Sequence, residues 1–237
     1  GLNSGGGYCN YNGTDFYLNS FSAEVQKFMI DLVVEAVRRY PELDGIQGDD
    51  RLPASPINAG YNKETIGAYM VHTGKPYPSD NKNKDWQAWK LASLNRFALD
   101  LHDAVKAERQ SCMVFFAPNK YPWACNNLSQ DWPSWVKSGA CEFLTVQCYV
   151  TANYERDVHS QIAYMKANTS KNIFQPAMIL KNGANLMSPQ MLSEQLCHNR
   201  KVGTMCEAQF WFDGLWNEDI RKMFKLFYSY PVEFPEL

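Results

Sequence analysis

Three carboxylates stand at the ends of short apolar segments. Asp49 and Asp50 close the stretch "YPELDGIQGDD", and Asp213 follows "TMCEAQFWF". Two acids brought to one rim suit hydrolysis of a sugar linkage. One carboxyl must be protonated to release the leaving oxygen, and the other must be ionised to attack or to activate water. Amides and aromatic rings serve the same chemistry, because amides bind hydroxyls and ring faces stack on sugars. Gln47, Asn119, Gln147 and Gln209 are the candidate amides, Trp123, Tyr149 and Trp211 the candidate walls, and Glu207 a further polar contact for substrate. Each has a bland reading beside the chemical one. An acid pair after an apolar stretch is often turn chemistry or a helix cap, Trp211 in isolation reads as core, and Glu207 fits a buried hydrogen-bond network. Only convergence on one rim favours the chemistry.

Such residues need elements to aim them. In "FSAEVQKFMIDLVVEAVRRYPELDG" the apolar residues Val25, Phe28, Met29, Leu32, Val33, Ala36, Val37 and Tyr40 form one helical stripe. Ser22 is the expected cap, Glu24 suits the positive end, Arg38 and Arg39 suit the negative end, and Pro41 stops the run. "DGIQGDD" then reads as a brief buried strand. The cycle recurs: a helix in "DWQAWKLASLNRFALDLHDAVKAERQ" before the strand "SCMVFFAPN", and a helix in "SQDWPSWVKSG" before "CEFLTVQCYV". Next come a helix in "RDVHSQIAYMKANTS" before "NIFQPAMIL", and one in "SPQMLSEQLCHNRKVG" before "TMCEAQFWF". "NEDIRKMFKLFYSY" is a terminal helix. Ser188, Pro189 and Gly203 mark cap, first turn and stop of the fifth helix.

Helices alternating with short apolar strands predict an α/β fold with a parallel sheet and helical crossovers. No Pro- or Ser-rich linker divides the run, so one domain over 1–237 is expected, with a long loop insertion at 51–84. No strand-to-helix junction carries GxGxxG or GxxxxGK[ST], which disfavours an open nucleotide-binding sheet and favours a (β/α)8 barrel of the TIM type. Period-two alternation puts Gly45, Gln47 and Asp49 on one strand face. It puts Phe143, Thr145, Gln147 and Tyr149 together on another, and Glu207, Gln209, Trp211 and Asp213 together on a third. In a barrel these polar faces would line the lumen, with Asp49 and Asp213 at the rim formed by the strands' C-terminal ends.

The bulk numbers narrow the classes. A net charge of −2 over 237 residues, with no Lys/Arg-rich block, offers no long-range attraction to nucleic acid or anionic membrane. No apolar run approaches the roughly 20 residues that span a bilayer. The seven Cys form no CxxC pair and the four His no HExxH, so no metal site or cofactor is called for. Several Cys lie in apolar runs, as small buried hydrophobes do. Two rivals stay open. One is a carbohydrate-binding module that kept the rim without catalysis; the other is a metal-dependent hydrolase using Asp49, Asp50 and Glu207 as oxygen ligands.

Beyond these patterns, "DFYLNSFSAEVQKFMIDLVVEAVRRYPELDGIQGDD", "WKLASLNRFALDLHDAVKAE", "WVKSGACEFLTVQCYV" and "NRKVGTMCEAQFWFDGL" resemble the glycosyl hydrolase-like family 10, bacterial (β/α)8 proteins. By position, Asp49 and Asp50 match the family's paired acids, Gln147 and Tyr149 its sixth-strand pair, and Asp213 the end of its eighth strand. Gly48 stands where the family has Phe, Arg51 and Leu52 replace its aromatic pair, and Lys90 and Ser93 replace its usual Arg and Asn. The resemblance implies an incomplete barrel, strands four to eight with their helices, whose sheet a missing N-terminal segment or a partner would complete. It further implies an oligo- or polysaccharide substrate and an extracytoplasmic location.

Overall fold

The computed structural model describes residues 1–10, 13, 15–149, 151–204 and 206–231. The chain divides into two compact units, Gly1–Cys141 and Glu142–Leu237.

The first unit runs α1 (Ala23–Arg39), β1 (Gly45–Gly48), α2 (Lys63–Thr73), α3 (Lys84–Glu108), β2 (Met113–Phe116), α4 (Trp123–Leu128) and α5 (Trp132–Ser138). Its long helix α3 buries Trp86, Lys90, Leu94, Phe97, Ala98, Leu101 and Val105. Steps of three and four keep these on one face. Leu94 and Phe97 pack with Phe21 and with Met29, Ile30 and Leu52, which fastens α1 to α3. The packed face is rotated from the expected stripe: Ile30 joins Met29 in it, while Phe28, Leu32 and Tyr40 are exposed. Ser22 stands at the N-cap of α1, but its hydroxyl makes no capping bond. Asn83 does cap α3, its side chain accepting from Trp86 N at 3.1 Å. The expected 51–84 loop contains a helix, α2, between Asn62 and a left-handed Gly74 with φ of 67°. Tyr69 of that helix meets Trp86 and Trp89 edge-on, with ring centroids 4.9 and 5.6 Å apart.

β1 and β2 are parallel, with Ile46 opposite Val114, Gln47 opposite Phe115, and Gly48 opposite Phe116. Val114 and Phe116 are buried, and Phe116 meets Trp135 of α5 at 5.3 Å, so this face is the helix-covered one. Gln47 lies on the other face and is exposed. The alternation expected for this strand therefore holds.

The second unit runs β3 (Phe143–Gln147), α6 (Tyr154–Lys166), β4 (Phe174–Ile179), a hairpin of β5 (Lys181–Asn182) and β6 (Asn185–Leu186), α7 (Pro189–Val202), β7 (Ala208–Phe210) and α8 (Glu218–Phe227). Ser188 caps α7 by accepting from Met191 N at 3.2 Å, Pro189 opens it, and Gly203 ends it at φ of 74°, all as expected. β3, β4 and β7 are parallel. Leu144 and Val146 stand opposite Phe174 and Pro176, while Thr145 and Gln147 stand opposite Gln175 and Ala177.

β7 departs from the reading. Ala177 pairs with Ala208, Met178 with Gln209, and Ile179 with Phe210. Paired residues of a parallel ladder share a face, so Gln209 lies with Met178, Pro176 and Val146, opposite Gln147. The strand also ends at Phe210. Trp211 follows in extended backbone after a cis peptide bond, and Asp213 sits in a 3-10 turn, Phe212–Trp216. Alternation therefore places neither Trp211 nor Asp213. Met205, in the same expected strand, lies outside the described residues.

Candidate functional site

In the first unit Gln47 and Asp49 open on a cleft of about 420 Å3, whose walls include Tyr17, Val25, Met29, Arg51 and Phe97. β1 delivers Asp49 to the strand's C-terminal end. There its Oδ1 accepts the backbone N–H of Arg51 at 2.8 Å, an Asx turn that fixes the carboxylate plane. Among the described residues Asp49 Oδ2 makes no hydrogen bond, and the residue is exposed.

Asp50 is held differently. Its Oδ2 lies 2.6 Å from Arg51 Nη1, and its carbonyl accepts from the same nitrogen at 2.7 Å. Asp50 is not among the residues lining the cleft. Gln130, buried and absent from the sequence reading, joins the two loops behind the acids. Its Nε2 donates to Asp50 O at 3.1 Å and its Oε1 accepts from Asn119 N at 3.3 Å. Asn119 thus enters this network through its backbone. Trp123 opens α4 and is 52% exposed, as a wall requires.

Gly48 is dictated by space. A Cβ there would lie 2.6 Å from the Leu52 carbonyl oxygen and 2.9 Å from Phe116 Cδ1. No larger residue fits while the turn after the acids keeps its course.

In the second unit Gln147 is buried on the polar face of β3, beside Thr145, whose Oγ1 donates to Gln175 Oε1 at 2.6 Å. Tyr149 stacks on Phe210 at 5.3 Å, and Phe210 meets Trp211 edge-on at 5.6 Å. Trp211, 52% exposed, shares a hollow of about 300 Å3 with Lys181, Asn182, Gly183, Phe210 and Asp213. Lys181 Nζ stands 3.4 Å from Asp213 Oδ2. The reading missed Lys181 and its hairpin, although Asn182-Gly183 is a strong hairpin dipeptide and Gly183 takes φ of 57°.

Glu207 and Gln209 do not join this group. Glu207 accepts from Asn199 at 3.4 Å, pairs with Arg200 at 3.3 Å, and accepts from the Tyr228 hydroxyl. Gln209 Nε2 reaches Met178 Sδ, which Asn199 of α7 also contacts. Both side chains serve the contact between the strand and the helices. Burial raises the Glu207 pKa above the usual carboxylate value, with Arg200 and Asn199 opposing. Among the described residues, no three His, Cys, Asp or Glu side chains cluster as metal ligands would. Four of the seven cysteines, Cys9, Cys112, Cys141 and Cys148, are buried. Among the described residues, no helix is long and apolar enough to cross a membrane.

The strand-helix cycle and these acids can be set beside known proteins. No curated protein sequence matches the chain. Among solved structures, the chain resembles the PgaB (BpsB) glycoside hydrolase domain from Bordetella bronchiseptica with a TM-score of 0.72 at 14% identity. That match covers 92% of this chain and 65% of that one, so the chain spans under two thirds of that structure's length. A chitinase from Chromobacterium violaceum follows, with a TM-score of 0.57 at 8% identity, covering 90% and 74% of the two chains. A GH18 chitinase from Pseudoalteromonas aurantia gives 0.50 at 13% identity, covering 84% and 68%. At such identities the likeness establishes the fold alone: a TIM-barrel type, of which this chain forms a part, as the sequence led us to expect. The sequence model of one family, Glycosyl hydrolase-like 10, matches residues 6–188, most of the chain and both the acid pair that follows β1 and the Gln147–Tyr149 segment, and the chain belongs to that family.

Proposed function

We propose that the chain carries the acid-bearing part of a glycoside hydrolase that cleaves a glycosidic bond in an oligo- or polysaccharide. The observation that carries this reading is Asp49. Its carboxylate ends a barrel strand, borders a cleft with Gln47, and keeps one oxygen unbonded while a backbone N–H orients the other. Within the second unit, Asp213, beside the exposed ring of Trp211, is a further candidate carboxylate. Asn119, Trp123, Gln147 and Tyr149 would bind sugar, and the chemistry asks for no cofactor. The chitinase-like folds make polymers of N-acetylhexosamine the first substrates to try, followed by peptidoglycan strands and plant or host glycans. The location proposed is extracytoplasmic, where such polymers lie. β1 is bonded on one side only among the described strands of its unit, and Phe28 and Leu32 of α1 are more than half exposed. We propose that a strand-and-helix segment from outside this chain covers both.

A second reading has its own observation. Asp50 and Asp213 are each ion-paired, with Arg51 and Lys181, and a barrel with both acids neutralised would bind glycan without cleaving it. Release of reducing ends from the glycan panel separates the two readings. Cleavage that Asp49→Asn abolishes supports the hydrolase, whereas turnover that survives Asp49→Asn removes it. Binding without turnover in the native chain supports the module.

A further inference from the structure

We infer that Arg51 divides the work between the two adjacent acids: it neutralises and immobilises Asp50, and so leaves Asp49 as the carboxylate that faces substrate. This rests on the hydrolase reading and adds to it a positioning residue. Arg51 stands where the family has an aromatic residue, so the device belongs to this chain.

The geometry is specific. Arg51 Nη1 is 2.6 Å from Asp50 Oδ2 and donates to Asp50 O at 2.7 Å, while Nε donates to the Tyr17 hydroxyl at 3.1 Å. The guanidinium is thus fixed from two directions, as its rigid fork allows. The side chains of Arg51 and Asp50 are 21% and 34% exposed, so water screens the pair less than it would on an open surface. Gln130 holds the Asp50 carbonyl from the other side. The cleft is lined by Asp49 and Arg51 and not by Asp50. Without the guanidinium, two carboxylates on consecutive residues would repel each other, and residue 51, whose backbone N–H orients Asp49, would lose the side-chain tether to Asp50 and Tyr17 that holds it in place.

The test is a mutant cycle on the chain as it stands, read by hydrolysis of the glycan that the panel identifies. Arg51→Gln is expected to lower kcat by about 10- to 100-fold with KM nearly unchanged, since the defect lies in an acid's orientation rather than in substrate contact. Arg51→Lys keeps the charge and is expected to retain most of kcat. Asp50→Asn in the Arg51→Gln background removes the unneutralised charge and is expected to restore kcat at least tenfold. A double variant no faster than Arg51→Gln overturns the inference, because the arginine would then act on substrate directly. Thermal melting of four chains, native, Arg51→Gln, Asp50→Asn and the double variant, needs no glycan. The melting temperature lost in Arg51→Gln should return in the double variant, and independent, additive losses overturn the coupling even if no glycan is cleaved. A chain that cleaves nothing yet shows the coupled melts refutes the hydrolase reading alone.

Discussion

Gln209 of β7 stands in register with Met178 of β4, and this pairing turns Gln209 and its neighbour Glu207 toward Asn199 and Arg200 of α7. Glu207 is therefore a fastening between strand and helices. Glu207→Ala leaves Arg200 without its carboxylate and Asn199 Nδ2 with the weak acceptor Met178 Sδ in place of a carboxylate oxygen, and should cost about 2 kcal/mol, discounted because Arg200 is 42% exposed. Glycan affinity should not change. Denaturant melts and a binding isotherm check the two halves. The pH sign follows from burial, which raises this carboxyl's pKa from its ordinary 4.5. The folded state holds the proton more tightly, so the contribution to stability is full below pH 4.5 and is lost as pH rises through the folded value. Glu207→Gln should flatten that dependence.

Lys90 gives the opposite slope. It is fully buried, it donates to the carbonyl oxygens of Ile57 and Ala59 at 2.6 and 2.9 Å, and its ammonium lies 5.6 Å from the Trp86 ring centre. Burial pushes its pKa from 10.5 down to about 8. Between those values the unfolded chain binds more protons, so stability rises with pH. Burial also raises the Cys9 thiol above 9.0, which opposes this at higher pH. From pH 7.5 to 9 the native chain should gain about 1 kcal/mol relative to Lys90→Met. Chemical denaturation of both chains at the two pH values measures it, and parallel curves would contradict the buried charge.

Gly48→Ala tests the space behind the acids. The added methyl meets the Leu52 carbonyl and the Phe116 ring. Relieving that overlap moves the turn carrying Asp49 to Leu52, at about 1–3 kcal/mol. Stability and glycan turnover should fall together. Unchanged melting would show that the turn has slack.

Trp123 and Trp211, each 52% exposed, should behave as walls rather than core. Trp123→Ala and Trp211→Ala should each weaken glycan binding about tenfold while melting temperatures stay within a few degrees. A large drop in melting temperature for either would return that ring to a structural role.

Several features were legible because they rest on local rules. The existence of α1 and α3, the Ser188–Pro189–Gly203 punctuation of α7, and the faces of β1 and β3 follow from periodicity and capping, which need no knowledge of distant partners. The family likeness was legible for the same reason, since "DGIQGDD" and "VQCY" are contiguous. α2 escaped because its Gly, Asn and Lys neighbours resemble loop, although Asn62 and Gly74 bracket it as caps do.

The sequence by itself determined that side chains alternate along each strand, that helices separate the strands, and that acids follow two of them. Only the tertiary structure decided which parity of β7 meets the helices, because a face is named by the neighbour in register, here Met178. It also decided that Asp50 belongs to Arg51 while Asp49 keeps an open oxygen. The physical reason is common to both. Alternation and adjacency are properties of one segment, but burial and ion pairing depend on what the rest of the chain brings alongside it.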